Sequence, residues 1–234
     1  AIRKSFLKVP LITGALTLLV CILVGFGWAF DNNALKHVLD GFISMKFNTA
    51  LALASLAVCQ MILSRSPKTL GRVVAGFFCL FSMAIAVLTL AEYAFHLNFG
   101  IDEFFFMDTG SVAYPGRLAP VTALNLIFLG TGVFLTNLIR RRQFKAGQIL
   151  FLITYMVSIH ALMEYGLDLE ETFGSAPHTR IALHTAFGFI LLSAGFLLLN
   201  PFKGYMRIIL LRSAGGSLAR TLVVALIFAP PLIK

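Results

Sequence analysis

The chain has 234 residues, 59% of them hydrophobic and 12% charged, with a formal net charge of +9 and a mean hydropathy of +0.90. Soluble domains carry about 25% charged residues, so this composition excludes an ordinary soluble fold and points to an all-α integral membrane protein. The apolar runs are long and lack the alternation of barrel strands, which leaves helices as the spanning elements, and the positive charge reads as topology rather than nucleic-acid binding.

Taken in chain order, spans are expected at 6–29, 46–64, 70–96, 120–139, 146–166 and 181–200, followed by an incomplete seventh at 218–233. A helix needs about 20 apolar residues to cross the hydrocarbon. After span 1, "DNNALKHVLDGFISM" reads as an interfacial helix and places His37 at the interface. Cys21, Cys59 and Cys79 lie inside spans 1, 2 and 3, where an odd number of thiols reads as packing rather than a disulfide framework. The segment after span 3, "NFGIDEFFFMDTGSVAYPGRLAP", is long enough to fold over the bundle as a cap, with "EFFFM" as an aromatic interface anchor. Between spans 6 and 7, "KGYMRIILLRSAGGSLAR" sets Met206, Ile208 and Ile209 beside Arg207, an amphipathic pattern suited to lying on anionic lipid. The last apolar run stops at Lys234, as expected of a piece cut within or at the end of a span.

The charges separate by side. The N-terminus and the loops after spans 2, 4 and 6 hold 14 of the 19 basic residues, while all ten acidic residues fall on the other side. The positive-inside bias makes the N-terminus cytoplasmic and turns the acidic loops outward.

Spans 2, 4 and 6 share a pattern at their outer starts, "NTALALASLAVC", "VTALNLIFLGTG" and "HTAFGFILLSAG". Thr49, Thr122 and Thr185 align, and small residues follow at Ala57, Gly130 and Ser193 and again at Cys59, Gly132 and Gly195. Small residues let helices approach closely in lipid. The chain thus reads as three parallel-repeat helical hairpins plus a seventh span. His184 sits where the other copies have Asn48 and Val121, so the repeat itself does not demand histidine there.

Ionisable groups at membrane depth are costly and are functional candidates. His160 lies about 9 Å inside the outer end of span 5, with Glu164 one turn further out. His184 has similar depth in span 6, with Arg180 one turn above it. Glu92, Tyr93 and His96 mark the outer end of span 3, and Thr122 and Asn125 the start of span 4. Three readings stay open. These groups satisfy one another and cap helices, with Glu164 pairing Arg180; or they line an outward pocket for a small or lipid-soluble ligand; or His160 and His184, facing one another, hold haem or a metal ion, since neutral imidazole suits both. His178 reads as a loop residue. A transporter fits the threefold repeat but lacks the polar or broken midplane helices of that class. A retinal Schiff base has no lysine well inside a span, and no nucleophile–base pair or phosphate loop suggests catalysis.

Four stretches, "LAEYAFHLNFGIDEFFF", "PGRLAPVTALNLIFLGTGVFL", "TRIALHTAFGFILLSAGFLLLNP" and "GGSLARTLVVALIFAPPL", resemble the membrane-embedded N-terminal region of bacterial sensor histidine kinases and diguanylate cyclases. The resemblance covers roughly residues 45–234. It implies a sensory or anchoring input domain in the bacterial inner membrane. It also implies a cytoplasmic output module of the PAS, kinase or cyclase type further along the chain, and a homodimer formed through the parent protein. The ligand is not fixed by these motifs.

Overall fold

The computed structural model describes residues 2–37, 42–65, 67–109, 114–139, 142–167, 180–211, 213, 215–218 and 221–222. Among them the chain forms helices and no strand: α1 (Ile2–Ala29), the short α2 (Asn33–His37), α3 (Phe47–Ser64), α4 (Thr69–Phe95), α5 (Pro120–Val133), α6 (Phe144–Leu167), α7 (Leu183–Leu198) and the short α8 (Gly204–Leu210). Five helical stretches are long and apolar enough to cross a membrane: Lys8–Ala29 of α1, α3, α4, α5 with its continuation to Leu138, and α6 up to Tyr165. The shorter apolar α7 has 16 residues, inside the expected 181–200. It stops before Asn200, because the residue ahead of Pro201 is disfavoured in helical conformation. The seventh expected span lies almost wholly outside the described residues, as does His178.

Local chemistry sets the helix ends. Proline at the first turn of α5 needs no intrahelical N–H partner there. α4 closes at His96, which adopts the left-handed conformation (φ 53°, ψ 34°) and bonds back to Glu92 O, a C-terminal turn more usual for Gly or Asn. α5 widens into a π-helical turn, Phe134–Leu138, in which Ile139 N donates to Phe134 O. From that turn Asn137 accepts a hydrogen bond from Asn200 Nδ2 (3.0 Å) just beyond α7.

The helices close a ring. α1 packs on α3 and α7, α3 on α4, α4 on α5, α5 on α6, and α6 on α7; α3, α5 and α7 also touch one another across the middle. The outward faces are apolar, with Leu70 76% and Phe77 64% exposed. A surface of that kind suits lipid tails rather than water. The inward faces are small or polar. The buried stripe of α4 is Ala75, Cys79, Ser82, Ala86, Thr89 and Glu92, and all three cysteines are unpaired and buried.

Glycine sets the closest approaches. A Cβ on Gly132 would stand 2.5 Å from Phe151 of α6 and 3.0 Å from Gly147 O. One on Gly195 would collide with Gln60 Nε2 and Thr13 Oγ1. Gln60 is fully buried and ties α3 to α1 by donating to Pro10 O (2.8 Å) and Thr13 Oγ1 (2.7 Å). At the same end of the bundle, Gln148 of α6 caps α8. Its Oε1 accepts from Tyr205 N (2.7 Å) and Met206 N (3.3 Å), and its Nε2 donates to Lys203 O (3.0 Å).

Candidate functional site

The described acidic residues lie toward the end of the bundle where α3, α5 and α7 begin and α1, α4 and α6 finish. There the segment after α4 folds back as a cap, held by buried charge. Arg117 Nε donates to Asp102 Oδ2 (2.6 Å) and lies 3.4 Å from Glu92 Oε2, with Glu92 fully buried. Glu92 Oε1 accepts from Phe99 N (2.8 Å), which fixes the first turn of the cap onto α4. Two carboxylates therefore converge on one guanidinium. One oxygen of each, Glu92 Oε2 and Asp102 Oδ1, is buried without a hydrogen bond.

Arg117 is aimed by its own turn. Arg117 N donates to Tyr114 O (3.2 Å) across Pro115 and Gly116, and Gly116 has φ +69°, the pattern of a type II turn with Pro second and Gly third. A side chain at Gly116 would run into Asp102 O. The guanidinium also lies over Tyr93 (5.2 Å) and Tyr114 (5.1 Å), and Tyr93 Oη donates to Leu118 O (3.2 Å). Burial works against the charge on Arg117. The Asp102 hydrogen bond and the charges of Asp102 and Glu92 outweigh it and hold its pKa above the ordinary arginine value.

Further contacts tie the cap to α3. Lys46 pairs with Asp108 (2.5 Å), Asp108 Oδ2 accepts from Gly116 N (3.0 Å), and Asn48 Nδ2 donates to Ile101 O (2.7 Å). The "EFFFM" stretch divides. Phe104, Phe105 and Met107 are exposed, whereas Phe106 turns inward against Phe47 (4.8 Å) and Trp28 (6.3 Å). At the neighbouring loop, the hydrogen bond and charge of Lys36 hold the Asp31 carboxyl below its usual range.

The residues expected from the sequence fall into two groups. Glu92 and Tyr93 belong to the cap clamp, whereas His96 is exposed at the end of α4. Asn125 is buried one turn inside α5, and its Nδ2 has no hydrogen-bond partner. The other group lies at the outer ends of α6 and α7. Tyr165 Oη donates to Ile181 O (2.9 Å), and Glu164 and Arg180 are half-buried at these helix ends. His184 shares its face of α7 with Gly188 and Gly195, which pack on α1 and α3. His160 shares a helix face with the exposed Ile149 and Ile153, opposite the stripe of Phe151, Thr154 and Ser158 that is buried in the bundle. The two imidazoles thus have similar depth but lie on different faces, His184 on the side of α7 that packs on α1 and α3 and His160 on the side of α6 that carries the exposed Ile149 and Ile153. Among the described residues no group of three or more His, Cys, Asp or Glu is placed to hold a metal ion.

Arg117 was not singled out from the sequence. Its signal was a lone basic residue behind Pro-Gly in an otherwise acidic loop. No family model, curated protein or solved structure matches the chain.

Proposed function

We propose that the chain is the transmembrane sensory input region of a bacterial signalling protein, detecting a small or lipid-soluble molecule near the outer leaflet. In this reading the acidic end faces the periplasm, and the bundle is three parallel hairpins followed by a further span toward a cytoplasmic kinase or cyclase. The observation that carries it is the cap clamped by Glu92, Asp102 and Arg117 over an end of the bundle that holds buried polar groups such as Asn125 and Thr122. Such a lid can be biased by a ligand that binds its open and closed states differently.

The repeat supports the hairpin arrangement. Its aligned threonines Thr49, Thr122 and Thr185 are all buried. Gly188 and Gly195 of α7 approach Leu53 and Gln60 of α3, each next to the residue with which the alignment pairs it. A second reading, haem or a metal ion held through His184 and His160, draws on the buried His184 Nδ1, which has no hydrogen-bond partner.

Native mass spectrometry of the protein released from mild detergent separates the two. The expected result is a small organic molecule lost on activation. A haem or metal mass instead would favour the second reading, and lipid alone would count against both.

A further inference from the structure

At the end of the bundle away from the cap, α6 and α8 meet in a corner that their own side chains fix. Gln148 of α6, 1% exposed, accepts from Tyr205 N and Met206 N and donates to Lys203 O. Lys203 Nζ lies 4.6 Å over the ring of Phe144, the first residue of α6. Gly204 makes the bend with φ +56°, and a Cβ there would stand 2.3 Å from Gln148 Oε1. Met206 turns inward and is buried. The start of α8 is thus seated on the start of α6 in one orientation.

Two exposed stripes leave this corner. On α6, Lys145, Ile149 and Ile153 follow at four-residue spacing and so share a face, and all three are exposed. Phe144 and Gln148, which hold Lys203 to Met206, stand on the adjoining face, so the Lys145 stripe borders α8. On the other side, Lys203 and Arg207 are exposed one turn apart, and Ile208 and Leu211 follow them, also exposed. Three cations therefore stand at the head of an apolar strip on the outward face of α6, a helix long and apolar enough to cross a membrane.

The neighbours of this corner offer no counter-charge. α5, α7, α8 and α6 as far as Met163 contain no acidic residue. A complementary partner is anionic at one end and apolar beyond it. A free phosphate would answer only the cations, and a hydrocarbon only the strip. A phospholipid with a negative headgroup answers both, and it is supplied by the same lipid that the apolar outer faces of the bundle call for.

We infer that the corner between α6 and α8 is a binding site for an anionic phospholipid, its phosphate held by Lys145, Lys203 and Arg207 and an acyl chain laid along Ile149 and Ile153. The site lies at the other end of the bundle from the cap and stands or falls apart from the sensory reading.

Phosphatidylglycerol carrying a diazirine midway along one acyl chain is the probe, mixed at low level into phosphatidylcholine vesicles that contain the chain. After irradiation its label should concentrate on α6 around Ile149 and Ile153. The same diazirine on phosphatidylcholine should label the outward faces of α1 and α4 as readily as that of α6. Lys145→Gln and Arg207→Gln, both at exposed side chains, should each weaken labelling of α6 by the phosphatidylglycerol probe about fivefold, the worth of one basic residue at an anionic surface. Arg72→Gln is the control, because Arg72 is an exposed cation at the same end of the bundle on α4, and it should leave that labelling unchanged. The same labelling pattern from the two probes would overturn the site. An Arg72→Gln effect equal to that of Lys145→Gln would also overturn it, since the attraction would then belong to the basic surface as a whole.

Discussion

Arg117→Met should lower the stability of the protein at neutral pH by about 3 kcal/mol or more, the usual cost of removing one partner from a buried ion pair. Glu92 and Asp102 would then be left facing each other without a counter-charge, Glu92 with no exposure at all. Unfolding in mild detergent, followed by helix signal, reads the loss. Amide hydrogen exchange reads its location, with faster exchange expected at Phe99, whose N–H is held by Glu92, and at Asp108, whose N–H is held by Glu103. The loss should shrink as the pH falls and the two carboxylates take up protons. Arg117→Lys should fall between, because an ammonium keeps the charge but not the planar fork that reaches both acids and stacks on Tyr93 and Tyr114. A destabilisation below about 0.5 kcal/mol, the range of an unimportant surface change, would mean that the cap is held by something other than this clamp.

Gly195→Ala should cost about 3 kcal/mol, at the upper end of what overpacking does in a core. The added methyl collides with Gln60 and Thr13, and moving Gln60 aside gives up its bonds to Pro10 and Thr13, each worth about 1 kcal/mol. The effect is local to the junction of α1, α3 and α7, so it couples to Gln60. Truncating Gln60→Ala should cost less in the Gly195→Ala background than in the parent, a non-additivity expected of touching residues. Gly25→Ala is the control, since its nearest neighbour would be Phe47 at 3.9 Å, and it should change stability little. Equal effects of the two glycine substitutions would contradict the packing described for α7.

Much of the fold was legible because lipid imposes a length and a composition on each helix. Helices stand within a few residues of the first six expected spans, five of them long and apolar enough to cross a membrane, and the loop after α4 was readable as a cap from its length. The inner faces were harder to read. Ser82, Thr89, Thr154, Ser158 and Ser193 are single hydroxyls inside apolar runs, and hydropathy averages them away, yet they line the interior. His160 and His184 drew attention because an imidazole in a span is conspicuous, but depth alone does not fix the face of a helix. That needs the 100° step per residue together with contacts such as Phe151–Phe196. The pairing of Glu92 with Asp102 and Arg117 depends on how the cap folds back, and no periodicity encodes a loop of that kind. Asn125 was picked for its depth, and the structure adds that its amide nitrogen is buried without a hydrogen-bond partner.

The proposed sensory role is tested most directly in the full-length parent, by following in lipid vesicles the activity of the output module that the proposal places in the cytoplasm while small lipid-soluble molecules are added. The expected result is a saturable change in output with at least one such compound. Output that stays flat across the series, with the module active and the protein folded, would contradict a sensory role for this region.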